Sequence, residues 1–337
     1  MNKTKNSRLS IFLVIPTIRS LDFLKEWDVE FKDCQIVIVE DHEKKEISIP
    51  SIPSQTIHHF SWTDIENDFG EKGWIFPRKN AGIRSYGFWK AFEMGADVIV
   101  TMDDDCYPTG TDFVQTHLEN LSFKAPGDWF PTYPDPKFMF TRGFPYKMRN
   151  QMPVVVSHGL WSGVVDLDAK TLVKFPKLNL PPYPPIRQFV PQRFYFPMCS
   201  MNLAFKRKAT PLMYFPLMGE SKDGTRWGYD RFDDIWAGIF VKKIVDHLGW
   251  SVVNGSPFVL HKAASDRLGN VRKERRGLAV NEWLWKRVDE VKLTKRTAAE
   301  CYLELAEKLR LPKRRYFMKL RSAMIIWAQL FMKTTLS

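Results

Sequence analysis

Cysteine is scarce in this chain. Its 337 residues hold four, Cys34, Cys106, Cys199 and Cys301, far apart and with no Cys-x-x-Cys pair. That spacing excludes a zinc knuckle and a dense disulfide framework. Long apolar runs are missing too: no window approaches the roughly 20 apolar residues of a membrane span. The amino-terminal run "IFLVIP" is too short for the apolar stretch of a secretion signal, and no small-residue cleavage site follows it. No internal repeat and no low-complexity linker breaks the chain. A cytoplasmic, reducing location is the expectation, with one elaborated domain over residues 1–278 and a helical carboxy-terminal extension over 279–337.

What is present is charge and aromaticity. Fifty Lys and Arg stand against 38 Asp and Glu, a net charge of +12, and 14% of residues are aromatic. Such an excess calls for an anionic partner: nucleotide, phosphate, nucleic acid or a membrane surface. Two basic runs, "VRKERRGL" (271–278) and "KLRLPKRRYFMKLR" (308–321), carry much of it, as a binding patch or a solvated face.

The runs "LSIFLVI" (9–15) and "QIVIVE" (35–40) have the length and continuous apolarity of strands buried on both faces. The spacing predicts a helix over 80–96, then a strand "DVIVTM" (97–102), with later pieces "MCSMNLAF", "SVVNG" and "FVLHKAA" and a helix over 229–249. Alternating strands and helices indicate an α/β sheet, in which ligands bind beyond the carboxyl ends of the strands. Asp41 and the triplet Asp103, Asp104 and Asp105 occupy that position on two strands.

Carboxylates as close as those of "DDDCYP" repel one another, and three readings explain their presence. They could cap a helix, although Asp112 is better placed to do so. They could form a solvated turn. Or Asp103 and Asp105 could face a hard divalent cation, Mn²⁺ or Mg²⁺, that bridges a diphosphate.

The segments "IPTIRSLDFLKEW", "DDDC", "TRGFPY", "VSHGLW", "FPMCSMNLAF", "YFPLMG" and "FDDIWAG", in this order, resemble the reversibly glycosylated polypeptide family. Its studied plant members are UDP-arabinopyranose mutases. The resemblance implies a glycosyltransferase-A-like fold, a Rossmann-type mixed sheet, and a UDP-sugar rather than a nucleic acid as partner. It also implies that Asp103 and Asp105 hold the metal, with Asp104 behind them. Thr17 and Arg19 match the nucleotide loop, Asp41 would accept from uracil or ribose, and Arg84 would point at the phosphates. Arg142 falls where the family carries its glycosylated arginine, with Arg149 as a second clamp. As a guanidinium is a poor nucleophile, Arg142 fits better as a cation holding the departing diphosphate.

Other candidates have a structural reading beside the functional one. His158 is a metal neighbour, a donor to sugar or a packed core histidine. Trp161 is a pyranose platform or a core residue. Asp230, Asp233 and Asp234 fall within one expected helical turn, as a dipole-stabilised cluster or as sugar ligands and base. His261 is a third metal ligand or an ordinary strand-end histidine. The segments at 177–195 and 219–234 depart from the plant pattern and border the sugar side, so the sugar is left open. Three functions compete: a UDP-sugar mutase, a glycosyltransferase for surface polysaccharide, and a non-catalytic scaffold. Homo- or hetero-oligomers fit each of them. The basic tail with the amphipathic "YFMKLRSAMIIWAQLF" would let the protein touch a membrane face.

Overall fold

The computed structural model describes residues 9–50, 55–110, 112–133, 138–149, 151–181, 184–262 and 267–332. The amino-terminal residues 1–8 and the last two residues of "FVLHKAA" lie outside them. Three apolar runs form the parallel heart of the sheet. They are β1 (Ile11–Thr17), β2 (Cys34–Glu40) and, after α1 (Asp28–Phe31), β3 (Thr56–Phe60) and α2 (Trp62–Phe69), the strand β4 (Val98–Met102). Every residue of β1 and β4 is buried, as expected of strands covered on both faces. The helix α3 (Arg84–Glu93) lies directly on β1 and β2. A Cβ at Gly87 would stand 2.5 Å from Val14 and 2.8 Å from Val39, so only glycine permits this approach.

The chain continues through β5 (Cys106–Tyr107), α4 (Phe113–Ser122), β6 (Lys124–Ala125), β7 (Met152–Gly163), α5 (Ala169–Lys174), β8 (Arg187–Phe189), β9 (Asn202–Lys206), α6 (Asp233–His247) and β10 (Ser251–His261). The ten-stranded sheet runs β3-β2-β1-β4-β9-β7-β10-β5, with β6 and β8 attached to β7 and β10. β9 is antiparallel to both β4 and β7, so β7 and β10 run the same way as β4. The carboxyl ends of β1, β2, β4, β7 and β10 therefore reach one edge, and Ser200, just before β9, arrives there too. This mixed α/β sheet with carboxy-terminal helices is the architecture the resemblance implied.

Several local expectations change. Asp112 holds the N-cap position of α4 without a side-chain hydrogen bond; Glu30 Oε2, from α1, accepts from Phe113 N at 2.9 Å. "MCSMNLAF" becomes strand only from Asn202. "SVVNG" and the start of "FVLHKAA" are one strand, β10, with a register irregularity between Gly255 and Phe258 around Pro257, which has no N–H to donate. The helix expected from 229 starts at Asp233, because Arg231 takes a left-handed φ of 64°. Asp230 is thus not on the same helical turn as Asp233 and Asp234.

The carboxy-terminal helices are α7 (Arg267–Asp289), α8 (Ala298–Lys308) and α9 (Arg315–Met332), and the expected boundary at 278/279 falls inside α7. The apolar face of α9, with Phe317, Leu320, Met324 and Trp327, is buried in the same core as Phe12 and Val14. Trp327 Nε1 donates to Pro211 O at 2.9 Å. That face is therefore not available to a membrane. Among the described residues, no helix is long and apolar enough to cross one.

Candidate active site

The triplet leaves β4 with three different neighbours. Asp103 pairs with Nη2 of Arg84, a residue with no exposed surface. Nη1 of Arg84 donates to Thr101 Oγ1 at 3.0 Å and to Ser200 O at 2.9 Å, and Nε donates to Ala81 O at 3.1 Å. Arg84 was expected to point at phosphates. Instead its guanidinium is enclosed under the edge, where it compensates Asp103 and ties α3 to β4 and to the turn before β9. A buried guanidinium needs this many acceptors, because an unpaired one would carry a large desolvation cost.

Asp104 turns inward. Thr17 Oγ1 donates to Asp104 Oδ2 at 2.7 Å, and Arg19 Nε lies 3.4 Å from the same oxygen. Burial pushes the Asp104 carboxyl up to about 6, against the pull of Thr17 and Arg19. Arg19 keeps much of its side chain in solvent and so presents a cation on this edge.

Asp105 faces His261 at the end of β10. His261 Nδ1 lies 2.7 Å from Val164 O, an acceptor, so Nδ1 carries a proton. Nε2 is then the nitrogen that faces Asp105 Oδ2, at 3.7 Å. Burial disfavours a charge on His261, but the Asp105 carboxylate outweighs it and raises the pKa. A histidine fixed through Nδ1 to a backbone carbonyl is the usual arrangement of a metal-binding imidazole. Asp105 Oδ2 and His261 Nε2 are one oxygen and one nitrogen donor that a divalent cation could take. Among the described residues, no group of three His, Cys, Asp or Glu side chains is arranged to hold a metal. The expected trio of Asp103, Asp105 and His261 is therefore not assembled, and Asp103 is turned to Arg84.

The second acidic cluster stands at the start of α6. Asp234 Oδ2 accepts from Ser200 N at 2.9 Å and Ser200 Oγ at 3.0 Å, and its Oδ1 from Ile235 N at 2.8 Å. Asp233 is buried, and among the described residues no side chain donates to it. Burial first, and then the neighbouring carboxylate, pushes Asp233 up to about 8. Burial also raises Asp234, to about 6, with Ser200 opposing. Two carboxyls so placed do not both ionise easily, and the pair keeps a proton near neutral pH. Arg84 is the nearby cation felt by both, so the two acidic clusters share it.

The remaining candidates divide. Asp41 Oδ1 accepts from Trp62 Nε1 at 2.8 Å and Lys79 N at 3.0 Å, and Oδ2 accepts from Asn80 N at 2.9 Å. Its carboxylate, expected to meet uracil or ribose, instead fixes the loop that brings Gly82 against Asp233. His158 is the packed core histidine: Nε2 accepts from Cys199 N at 2.9 Å and Nδ1 donates to Asn254 Oδ1 at 2.7 Å. Burial lowers its pKa to about 4, so it is neutral and has no nitrogen left for sugar or metal. Trp161 is half-buried on β7, edge-on to His158.

Arg142 and Arg149 lie on one excursion, and Arg149 is not brought to this edge. The excursion that carries them begins and ends at the opposite one, where Ala125 pairs with Met152 and its carbonyl accepts from Gln151 N at 3.2 Å. From Met152 the strand β7 climbs eleven residues to Gly163, which is aligned with His261; that is about 36 Å. Arg149, three residues before Met152, stays within about 11 Å of it. Its guanidinium stacks on Tyr146 at 3.9 Å. Arg142 is exposed on a turn next to Gly143, which has a φ of 98°.

Sequence reading missed Ser200, which joins Arg84 to Asp234, and Glu274 of α7. Glu274 Oε1 accepts from Arg231 Nε at 2.9 Å and Oε2 from Ala169 N at 2.8 Å, so it braces the turn before Asp233 against the start of α5. Glu274 lies inside a basic run that reads as a binding patch or a solvated face. Ser200 stood in a motif that read as strand.

The model of the family described as reversibly glycosylated polypeptide matches residues 6–335. Among the similar proteins is UDP-arabinopyranose mutase 1 of Arabidopsis thaliana, 36% identical over 334 residues, covering 94% of this chain and 90% of that protein. Probable UDP-arabinopyranose mutase 4 of the same plant is 35% identical over 333 residues, covering 94% of this chain and 89% of the relative. UDP-arabinopyranose mutase 1 of Oryza sativa subsp. japonica is 35% identical over the same length, with the same coverage.

Proposed function

The chain belongs to the reversibly glycosylated polypeptide family, and on that premise we propose that it is an enzyme interconverting the pyranose and furanose forms of a UDP-sugar of the arabinose type. The observation that carries this reading is the similarity to UDP-arabinopyranose mutases over 94% of the chain, which includes both acidic clusters. Ring interconversion requires the bond from C1 to the β-phosphate oxygen to break, with the electron pair leaving on UDP. O4 must then give up its proton as it bonds to C1, and O5 must take one as its own bond to C1 breaks. UDP returns to C1, and no net proton or electron is exchanged.

The residues at the carboxyl edge suit these needs. Arg19 offers a guanidinium to the diphosphate, and Thr17 and Asp104 hold it in place. Asp105 and His261 Nε2 would hold Mn²⁺ or Mg²⁺, whose chemistry is to offset charge on the departing diphosphate. Asp233 and Asp234 share a proton, so one member can give to O5 while the other takes from O4. Asp234, pinned by Ser200, is the fixed member, and Asp233 is the one free to exchange.

The test is incubation with UDP-arabinopyranose and Mn²⁺, without an acceptor. A ring-isomerised UDP-sugar supports the mutase. Release of UDP only after an acceptor is added overturns it in favour of a glycosyltransferase. Binding of UDP with neither product makes the chain a non-catalytic member of a complex.

A further inference from the structure

The helices α7 and α8 end beside a concavity of about 440 Å³, lined by Arg287, Glu290, Val291, Lys292, Lys308 and Arg310. It lies at the far end of α6 from the acidic pair. His247, the last residue of α6, has Nε2 2.8 Å from Lys295 O, and Lys243 Nζ donates to Asp289 O at 2.8 Å. The fifteen residues of α6 separate it from Asp233 by about 21 Å.

Four cations line this concavity against one lining carboxylate. Lys308 is engaged: its Nζ donates to Glu304 Oε1 at 2.6 Å and to Lys292 O at 3.0 Å. Arg287, Lys292 and Arg310 are exposed, and among the described residues no carboxylate lies within ion-pair distance of them. Helix carboxyl ends attract cations by their partial negative charge, yet that accounts for only a small part of such an excess. Among the described residues no aromatic side chain lines the wall, so they offer no platform for a nucleobase. Two unpaired guanidiniums suit a phosphate group, to which each can donate twice.

We infer that this concavity is a second anion site, distinct from the sheet edge, and that it binds a multiply charged phosphate, free or carried on a lipid headgroup. Binding is electrostatic and falls steeply with salt. The three further cations at Lys313, Arg314 and Arg315 raise the local anion concentration without forming the wall.

The test is calorimetric titration of the full chain with inorganic tripolyphosphate, in the presence of saturating UDP and a metal chelator so that the sheet edge does not compete. A parallel arm measures sedimentation with phosphatidylcholine vesicles, with and without about 5% of a phosphoinositide bisphosphate. Arg287→Gln/Arg310→Gln should weaken binding at least about tenfold while leaving turnover and thermal midpoint unchanged. Lys313→Gln/Arg314→Gln should leave it within about threefold. Binding of tripolyphosphate alone identifies a free anion, and binding of phosphoinositide vesicles alone identifies a headgroup. Binding of neither, or an equal loss in both double variants, would overturn the site. None of these outcomes depends on whether the sheet edge isomerises a UDP-sugar.

Discussion

The two acidic clusters stand on one edge of one sheet and share one buried arginine, yet they are compensated in opposite ways. The triplet at 103–105 has a separate partner for each carboxylate: Arg84 for Asp103, Thr17 and Arg19 for Asp104, and His261 for Asp105. The pair at 233–234 has backbone and hydroxyl donors for one member and, among the described residues, none from another side chain for the other. The first arrangement keeps negative charge on the edge, where a cation and a diphosphate would sit. The second keeps a proton, because burial and like charge together make full ionisation costly. Adjacent aspartates thus acquire different chemistry from their neighbours alone.

Asp105→Ala breaks the comparison most severely. Without the carboxylate that faces His261, ring isomerisation should fall on the order of a thousandfold, while Asp104 and Thr17 keep the fold intact. Retained turnover in the acceptor-free assay would place the chemistry elsewhere. Arg84→Met comes next and should lower stability by about 3–5 kcal/mol, since Asp103, Ser200 O and Thr101 lose a common partner. Arg84→Lys should recover only part of this, because one ammonium cannot reach every acceptor of a planar fork. Urea unfolding curves measure both.

The acidic pair should show itself in pH dependence. The folded-state pKa of Asp233 is raised above its unfolded value, so the stability linked to it is fully present below about pH 4. It is lost progressively as pH rises toward about 8. Asp233→Asn should flatten the urea midpoint across this window and also suppress turnover. A wild-type midpoint that rises between pH 5 and 8 for reasons traceable to Asp233 would contradict the assignment. The smallest effect is expected at the opposite edge. Arg149→Ala should leave UDP affinity within about twofold and cost about 1 kcal/mol of stability through the lost stacking on Tyr146. A large loss of UDP affinity would mean that the excursion between β6 and β7 reaches the carboxyl edge.

Much of the edge was legible in the sequence. Continuous apolar runs at strand length placed β1, β2 and β4, the carboxyl-end rule placed Asp41 and the triplet together, and the family resemblance added Thr17. The compensation was not legible. Arg84 lies nineteen residues before Asp103 on a helix, and its other acceptors are two backbone carbonyls and a threonine, which carry no sequence signal. Asp41 is likewise held mainly by the amides of Lys79 and Asn80. The helix start at Asp233 depends on the left-handed Arg231, a conformation that nothing about an arginine announces. Arg149 shows a third limit: linear order between two strands does not say at which end of the sheet a nearby residue lies. That follows only once β6 is seen to pair with the beginning of β7.

On the proposed reaction, the bond between C1 and the β-phosphate oxygen would break at the triplet edge while the sugar stays bound. Positional isotope exchange tests it most directly. With heavy oxygen placed in the bridge between C1 and the β-phosphorus, the label should move into the non-bridging β-phosphoryl positions as the ring isomerises. It should do so in the wild type and not in Asp105→Ala. A label that stays wholly in the bridge while furanose accumulates would contradict the account, because the ring would then have been exchanged without releasing UDP.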